Sequence, residues 1–168
     1  MCLCAGTGEA PAQAGHEAEL KAAFVSKFPG FVDWPESVWQ RDTLVLCVAG
    51  DGPILRHLQA LTRGEHLRGK PVVVREIAPD DDPAVCHVLF LPADVVLGRD
   101  KLLERVAHQP VLTVSDDPSV LDRGCIILLH RVGRRLRFSI DASTAHRVGL
   151  RLSAQLLGLA VDVRGVER

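Results

Sequence analysis

Short apolar runs alternate with amphipathic segments along most of this chain, and this alternation limits the possible folds more than any other feature. The apolar runs have the length of buried strands and occupy residues 43–50, 72–77, 86–91 and 111–115. Segments with helical spacing of apolar residues lie between them, at 53–63 and near 99–107. Strands that alternate with helices form right-handed βαβ units and so a mostly parallel sheet. The sequence therefore predicts a three-layer α/β sandwich.

This arrangement is Rossmann-like or flavodoxin-like in the broad sense, but both ends of the pattern differ from its middle. An amphipathic helix is predicted at residues 16–28, and the Pro-Gly pair that follows should interrupt it. Near the other end, residues 124–140 favour an antiparallel hairpin at the edge of the sheet, and residues 142–160 have the periodicity of one long helix. We expect a single domain at residues 16–163, followed by a tail at 164–168.

The composition is that of one globular domain without a nucleic-acid signature. Hydrophobic residues make up 47% of the 168 residues and charged residues 24%, so the chain can bury a core of ordinary size. The formal net charge is −1 with both signs interspersed, which disfavours nucleic acid or an anionic membrane surface as the partner. No apolar run is long enough to span a bilayer, so direct membrane insertion is not expected.

Residues 1–15 are rich in small residues and lack the periodicity of a helix or a strand. The stretch contains an Ala-x-Ala-like pattern at residues 12–14, of the kind that precedes a signal-peptide cleavage site. A positively charged start and a full apolar segment are missing, so the stretch does not form a complete signal. We interpret it as the remnant of a truncated export signal, with a disordered leader as the alternative.

Two of the five cysteines, Cys2 and Cys4, lie in the predicted leader, and the other three show no metal-binding spacing. Cys47 and Cys86 each fall in a predicted buried strand, and these strands are neighbours if the strand order is 2-1-3. Neighbouring strands lie about 4.8 Å apart, which a disulfide tolerates when both side chains share a face. A disulfide is therefore favoured in an oxidising compartment, with two small buried thiols as the alternative. Cys125 has no evident partner.

The sequence contains no convincing catalytic, metal or cofactor motif. Its strongest candidate is a Gly-x-Gly turn at residues 50–52, but Leu55 replaces the third glycine and Pro53 starts the helix, which disfavours a dinucleotide. The same residues fit a tight strand-to-helix turn with positive φ at both glycines. The seven histidines lack metal-ligand spacing, and no nucleophile elbow occurs. We therefore predict a protein without catalysis, cofactor or metal.

Acidic residues at strand ends mark the place where a small molecule would bind. Asp51 follows the first predicted strand, and Asp116 and Asp117 follow the fourth. Ligands of open α/β sheets bind at the carboxyl ends of the strands, so these three carboxylates are the candidate pocket residues. The simpler interpretation of Asp116 and Asp117 is that they cap the short helix that follows.

The predicted last helix has two apolar stripes instead of one. The first stripe contains Ala145, Val148, Leu152, Leu156 and Leu159, and the second contains Leu150, Ala154, Leu157 and Val161. A helix that is apolar on two flanks is either enclosed in the core or buries its second flank against another chain. Leu150, Ala154 and Leu157 are therefore the candidate surface for a homodimer or another protein partner.

Several sequence blocks resemble the YfiR family in composition and in order. Residues 21–35 read KAAFVSKFPGFVDWP, which is similar to the family's opening pattern of Lys-Ala, spaced phenylalanines and Trp-Pro. The blocks CHVLF at 86–90, VLTVSD at 111–116 and GLRLSAQLL at 149–157 follow in the family's order. The resemblance covers roughly residues 20–160.

This resemblance implies a periplasmic, often dimeric regulator that is not an enzyme. Such proteins repress an inner-membrane diguanylate cyclase by binding its periplasmic sensor domain, which restrains cyclic-di-GMP synthesis and biofilm formation, with redox state or envelope stress as the input. Other family members lie beside sensor kinases, so the implied partner is an inner-membrane sensor protein of either class. The residues themselves leave one alternative open, a small-molecule-binding α/β module with its ligand at the strand carboxyl ends.

Overall fold

The computed structural model describes residues 11–166, in which strands and helices alternate along most of the chain. The first half contains α1 (Pro11–Lys27), β1 (Val32–Asp33), α2 (Glu36–Trp39), β2 (Leu44–Ala49), α3 (Pro53–Thr62), β3 (His66–Leu67) and β4 (Lys70–Ile77). The second half contains β5 (Val88–Leu91), α4 (Arg99–Val106), β6 (Leu112–Ser115), β7 (Ile127–Val132), β8 (Arg135–Asp141), α5 (Ala142–Arg147), β9 (Arg151–Leu152), α6 (Ala154–Leu159) and β10 (Asp162–Arg164). Short 3₁₀ helices lie at Phe28–Phe31, Pro83–Val85 and Pro118–Arg123.

Eight of these strands form one mixed sheet in the order β10-β8-β7-β6-β5-β2-β4-β3. The strands from β7 to β4 are mutually parallel, β8 is antiparallel to β7, and β10 runs parallel to β8 outside it. Because β2 lies between β4 and β5, the expected order 2-1-3 is confirmed. The chain adds β4 on one side of β2 and then β5 on the other, so the strand order reverses between β2 and β5. The three-layer α/β sandwich with a mostly parallel sheet and an antiparallel hairpin is thus confirmed.

Two hydrophobic cores lie on opposite faces of the sheet and explain why its central strands are almost wholly apolar. Val48 and Phe90 belong to the core under α1 and α3, whereas Leu89 and Leu91 belong to the core under α4. Strands that are covered on both faces appear in a sequence as continuous apolar runs, which is the pattern of β2, β5 and β6. Each fully buried side chain of this size contributes roughly 2 kcal/mol of hydrophobic free energy.

The first helix is longer than the sequence predicts, since α1 begins at Pro11 and not at residue 16. Its predicted interruption is confirmed, because α1 ends at Lys27 and the chain continues as a 3₁₀ helix that contains the Pro-Gly pair. Of the predicted leader, residues 1–10 lie outside the described residues, and residues 11–15 form the first turns of α1.

The prediction of one long helix at residues 142–160 is wrong, because the chain there is divided into short elements. Gly149 follows α5 with a left-handed φ of +84°, a conformation that ends helices and that residues with a Cβ rarely adopt. β9 then pairs antiparallel with β1 in a separate two-stranded sheet, and the N–H of Ser153 donates to Phe31 O at 2.9 Å. Pairing with β1 therefore supplies the backbone hydrogen bonds that a continuous helix would have made.

The break also separates the three residues that were predicted to form a partner surface. Leu150 is 3% exposed and packs in the core, so it does not contribute to any surface. Ala154 is exposed and Leu157 is half-buried, and both lie on α6. The two apolar stripes thus do not share one helix, and only α6 carries predicted contact residues that another chain can reach.

Candidate functional site

A cleft of about 350 Å³ opens at the carboxyl edge of the sheet, where the strand order reverses between β2 and β5. The loop after β2, the loop after β5 and the first half of α1 enclose it, and we name it the switch-point cleft. Its walls include the apolar side chains of Val48, Ile54 and Val95, and carboxylates lie at its rim. Ligands of open α/β sheets bind at this topological position. The switch-point cleft is therefore the place where this fold has room for a small molecule.

Lys21 of α1 is held in the cleft by two carboxylates. Its Nζ atom lies 2.6 Å from Asp116 Oδ2 and 3.0 Å from Glu17 Oε1, and all three side chains are largely buried. Burial by itself lowers the pKa of Lys21, but the hydrogen bonds to Asp116 and Glu17 outweigh it and raise that pKa. The hydrogen bond from Lys21 in turn holds the pKa of Glu17 below its usual value. Lys21 and Glu17 therefore stay charged over a wide pH range.

Asp116 connects three elements that meet at the cleft. Its Oδ1 atom accepts a hydrogen bond from the backbone N–H of Ala93 at 2.7 Å, while its Oδ2 atom contacts Lys21. The carboxylate at the end of β6 thus fixes both the loop after β5 and the position of α1. Sequence reasoning missed Glu17 and Lys21 as site residues, because they show only as the polar side of an amphipathic helix.

The structure brings two of the three predicted pocket carboxylates together. Asp51 and Asp116 line the switch-point cleft, but Asp117 is not among its lining residues. Asp117 accepts the backbone N–H of Ser119 at 2.9 Å as the cap of the 3₁₀ helix, and it also forms an ion pair with Arg99. The hydrogen bond from the Ser119 backbone, aided by Arg99, lowers the pKa of Asp117. Asp117 therefore has the capping role that was its simpler interpretation.

The Gly-x-Gly turn between β2 and α3 forms one wall of the cleft. Gly50 has a φ of +82°, and an added Cβ would lie only 3.0 Å from Val95. Gly52 has a φ of −66°, so the positive φ expected at both glycines is present at Gly50 alone. Pro53 occupies the first turn of α3 and removes a backbone N–H that a phosphate would need. This turn therefore brings β2 into α3 without forming a phosphate-binding loop.

A disulfide joins Cys47 of β2 to Cys86, which precedes β5, with the two Cα atoms 5.9 Å apart. Both residues are fully buried in the core under α4, so neighbouring strands on either side of the switch point are covalently linked. Cys125 is a buried free thiol that donates to the Ile127 carbonyl at 3.2 Å. Burial raises the pKa of Cys125 to about 12, so this thiol is protonated and unreactive at neutral pH.

An apolar groove of about 320 Å³ lies between α1, the adjoining 3₁₀ helix, β8 and α6. We name it the aromatic groove, because four phenylalanines line it: Phe24, Phe28, Phe31 and Phe138. Phe138 makes edge-to-face contacts with Phe28 and Phe24, with ring centroids 5.3 Å and 6.0 Å apart. Leu159 of α6 borders the groove and is 58% exposed. An exposed leucine beside a surface of aromatic rings is typical of a protein interaction site.

Residues 11–166 show neither of two features that would change this interpretation. They contain no group of histidine, cysteine, aspartate or glutamate side chains that could hold a metal ion. They also contain no helix that is long and apolar enough to cross a membrane.

A protein-family model described as YfiR/HmsC-like matches residues 18–161 of the 168-residue chain. The matched range begins at the first buried residue of α1, ends after α6, and includes both disulfide cysteines and the whole aromatic groove. All the sequence blocks that resemble the YfiR family also lie within it. Since the match covers far more than half of its length, the chain belongs to the YfiR/HmsC-like family.

Proposed function

We propose that this protein is a non-catalytic periplasmic regulator, which binds the periplasmic sensor domain of an inner-membrane diguanylate cyclase and represses it. The family match over residues 18–161 carries the proposal, since the YfiR-like family is regulatory and acts on such cyclases. Repression lowers cyclic-di-GMP synthesis and so restrains biofilm formation. An inner-membrane sensor kinase is the other partner class that the family supports, because some members lie beside such kinases.

The disulfide supports a periplasmic location. Cys47 and Cys86 are joined by a disulfide in the core under α4. Disulfides persist in the bacterial periplasm and are rare in the reducing cytoplasm. We further propose that this bond makes the protein redox-responsive, because it links the two strands that border the switch-point cleft.

The aromatic groove and α6 are the proposed contact surface for the sensor domain. Interfaces draw most of their affinity from a few aromatic and aliphatic side chains in a desolvated pocket. The groove supplies four phenylalanine rings, and the exposed Leu159 on α6 adds an aliphatic side chain beside them. A partner side chain of apolar character would be enclosed on several sides there.

A binding measurement with two matched variants tests this surface. Leu159→Asp places a charge at the groove, while Leu61→Asp places the same charge on α3 at a leucine that is 45% exposed. We expect Leu159→Asp to weaken binding to the purified periplasmic domain of the cyclase by at least about tenfold, and Leu61→Asp to leave it unchanged. Isothermal titration calorimetry measures both, and equal effects of the two variants would reject the groove as the contact surface.

A cellular measurement tests repression separately from binding. In a strain with the cyclase, expression of this protein should lower a cyclic-di-GMP reporter signal, and the Leu159→Asp variant should not. In a strain without the cyclase, neither protein should change the signal. Binding to the sensor domain without any fall in the reporter signal would show that the protein is not a repressor.

Ala154 and Leu157 are the proposed contacts of a homodimer, since both lie on α6 and remain accessible. Introducing an arginine at the centre of a two-fold interface brings two like charges together and disfavours association. Ala154→Arg should therefore shift the protein to the monomer mass in light scattering. A monomeric wild-type protein at concentrations well above those of the assay would exclude the dimer.

A small-molecule-binding module is the second candidate function, and the switch-point cleft favours it. Asp51 and Asp116 line the cleft, and a cleft of about 350 Å³ is large enough for a compact metabolite. A thermal-shift screen on the purified protein should then find a stabilising compound, and Asp51→Asn should reduce its effect. Binding of the sensor domain without any ligand from the screen favours the regulator alone.

A further inference from the structure

The hairpin of β7 and β8 extends beyond both of its neighbouring strands. β6 pairs with β7 only as far as Ser115 opposite Leu128, and β10 pairs with β8 only from Ser139 onward. Residues 129–138 therefore form a two-stranded ribbon, with which no third strand of residues 11–166 pairs. Its outer part, residues 130–137, contains Arg131, Arg134, Arg135 and Arg137, and we name this part the arginine ribbon.

The two faces of the ribbon have different surroundings. Leu129, Leu136 and Phe138 are buried in the core shared with α1, which therefore covers one face. Cross-strand partners share a face, so the pairs His130–Arg137 and Val132–Arg135 lie on the other. Arg131 pairs with Leu136 and so lies on the side of α1, while Arg134 is in the turn. Cationic side chains thus lie on both faces of the ribbon and at its tip.

These charges are largely unpaired within residues 11–166. Arg131 makes only a 3.4 Å contact with Glu17, and Arg134, Arg135 and Arg137 form no ion pair with any described residue. The formal net charge of −1 does not reveal this cluster, because acidic residues elsewhere in the chain offset the charges of the arginines. The expectation that an anionic surface is disfavoured as a partner rests on this net charge, which does not describe the local charge of the arginine ribbon.

An exposed apolar loop lies at the same edge of the sheet as the tip of the ribbon. Val96 and Leu97, in the loop between β5 and α4, are 67% and 88% exposed. β5 and β7 are parallel and separated by one strand, so Leu91 at the end of β5 lies about 10 Å from Leu128 of β7. From Leu128 the ribbon extends roughly 13 Å further in the same direction, to Val132. Val132, which is 53% exposed, adds an apolar side chain among the arginines themselves. One edge thus combines cationic groups with apolar side chains that no described part of the chain covers.

We propose that this edge docks the protein onto an anionic phospholipid surface, with the arginine ribbon on the headgroup phosphates and Val96 and Leu97 at the acyl boundary. Arginine binds phosphate oxygens in a two-pronged geometry, and its aliphatic stem tolerates the interfacial region. A protein partner would typically bind arginines that share one face of the ribbon. A planar membrane that the ribbon approaches with its tip contacts the charges on both faces. Asp51 and Asp94 border the cleft at this edge and would repel an anionic surface. The electrostatic attraction to the lipid therefore comes from the arginine ribbon alone.

This inference rests on the proposed periplasmic location only for the identity of the membrane, which would be the periplasmic surface of the inner membrane. Docking there would concentrate the protein beside a membrane-embedded sensor and restrict its search to two dimensions. The lipid interaction itself can be measured without any partner protein. Failure of the vesicle experiment below would therefore leave the regulatory proposal intact, and the reverse is also true.

Sedimentation of the full-length protein with lipid vesicles tests the inference. Vesicles of phosphatidylethanolamine with phosphatidylglycerol should pull down the protein, vesicles of phosphatidylcholine alone should not, and added salt should release it. The variant Arg134→Gln, Arg135→Gln and Arg137→Gln should lower the partition coefficient on the order of a hundredfold, since three cationic groups are removed from the surface. The variant Val96→Ser and Leu97→Ser should weaken binding while preserving the preference for anionic lipid.

The matched control removes the same charge from other exposed arginines, with Arg63→Gln, Arg75→Gln and Arg151→Gln in one protein. This control should bind anionic vesicles as the wild type does, and circular dichroism should show all the variants folded. Absence of wild-type binding, or an equal loss in the control, would overturn the inference. Ribbon-dependent binding to an acidic protein domain without binding to vesicles would overturn it as well, in favour of protein docking.

Discussion

The Nδ1 atom of His87 accepts a hydrogen bond from the backbone N–H of Val45 at 3.0 Å, so an imidazole replaces a backbone partner between β2 and the start of β5. His87 is fully buried, and the indole of Trp34 packs against it edge to face with ring centroids 5.5 Å apart. An imidazole that accepts at Nδ1 must be neutral and carry its proton on Nε2. The hydrogen bond and the surrounding core therefore both require the uncharged form of His87.

This requirement predicts a loss of stability in acid. Burial, with nearby Arg41 and Lys70 adding to it, lowers the pKa of His87 from 6.5 to about 4. Between these two values the unfolded chain binds a proton that the folded protein excludes. The contribution of His87 to stability is therefore fully present above pH 6.5 and is lost as the pH falls towards 4. The group contributes up to about 3 kcal/mol to this fall. Urea unfolding across this pH range measures it.

The variant His87→Asn isolates the imidazole from carboxylates that titrate in the same range. The Asn side-chain oxygen retains an acceptor for the Val45 N–H but has no pKa near neutral pH. Its free energy of unfolding should therefore fall less steeply with pH than that of the wild type. His66→Asn, at an exposed position, should follow the wild type. Parallel pH profiles of His87→Asn and wild type would assign the acid sensitivity to other groups.

The disulfide should be one of the larger single contributions to stability. It closes a loop with a sequence separation of 39 residues, which in the chain-entropy description stabilises the folded state by about 4 kcal/mol. The double variant Cys47→Ala and Cys86→Ala should lose this amount in urea unfolding. Reduced wild-type protein should resemble that variant.

Cys125→Ala is the matched control for the disulfide, because it truncates a buried cysteine that closes no loop. It should cost about 1 kcal/mol relative to the wild type. This cost should be the same with and without reductant, because the variant retains the Cys47–Cys86 bond. An unchanged unfolding midpoint of the wild type after full reduction would contradict the assigned contribution of the Cys47–Cys86 bond.

The central strands were predictable from sequence because burial on both faces leaves a continuous apolar run. Cys47 and Cys86 could be paired for the same reason, since the strand order follows from the alternation of elements and places β2 beside β5. β9 and β10 could not be predicted, because two or three residues are too few to show a period. They form where β1 and β8 offer free backbone groups, which is a property of the assembled fold.

The candidate site was predictable only in part, for a related reason. Asp51 and Asp116 follow strands, so their position at the carboxyl edge follows from the topology. Lys21 lies 95 residues from Asp116, and its ion pair depends on how α1 packs across the sheet. Sequence periodicity tells which side of a helix is polar, but it does not tell which strand end that side meets.

Gly149 is the residue that most clearly separates the observed fold from the predicted long helix. Its φ of +84° is unfavourable for any residue with a Cβ, whereas the nearest atom to an added Cβ, Pro35 Cγ at 3.4 Å, lies at a contact distance. Gly149→Ala should therefore destabilise the protein by about 1–2 kcal/mol. Gly158→Ala, in α6 with open space around it, should be neutral or slightly stabilising in the same thermal unfolding measurement. Stabilisation by Gly149→Ala would instead indicate that the chain tolerates a continuous helix.

The ion pair between Lys21 and Asp116 should be energetically coupled, and a double-mutant cycle measures the coupling. Lys21→Met removes the cation from the largely buried carboxylate of Asp116 and leaves Glu17 with only its 3.4 Å contact to Arg131, which should cost about 2–3 kcal/mol. Asp116→Asn keeps an acceptor for the Ala93 N–H while removing the charge, so it should cost less. The double variant should be more stable, by about 1–2 kcal/mol, than the sum of the two separate losses predicts. In the double variant neither the lysine nor the aspartate remains as an unpaired buried charge. Additive losses in urea unfolding would show that α1 is held at the cleft by its apolar contacts and not by this ion pair.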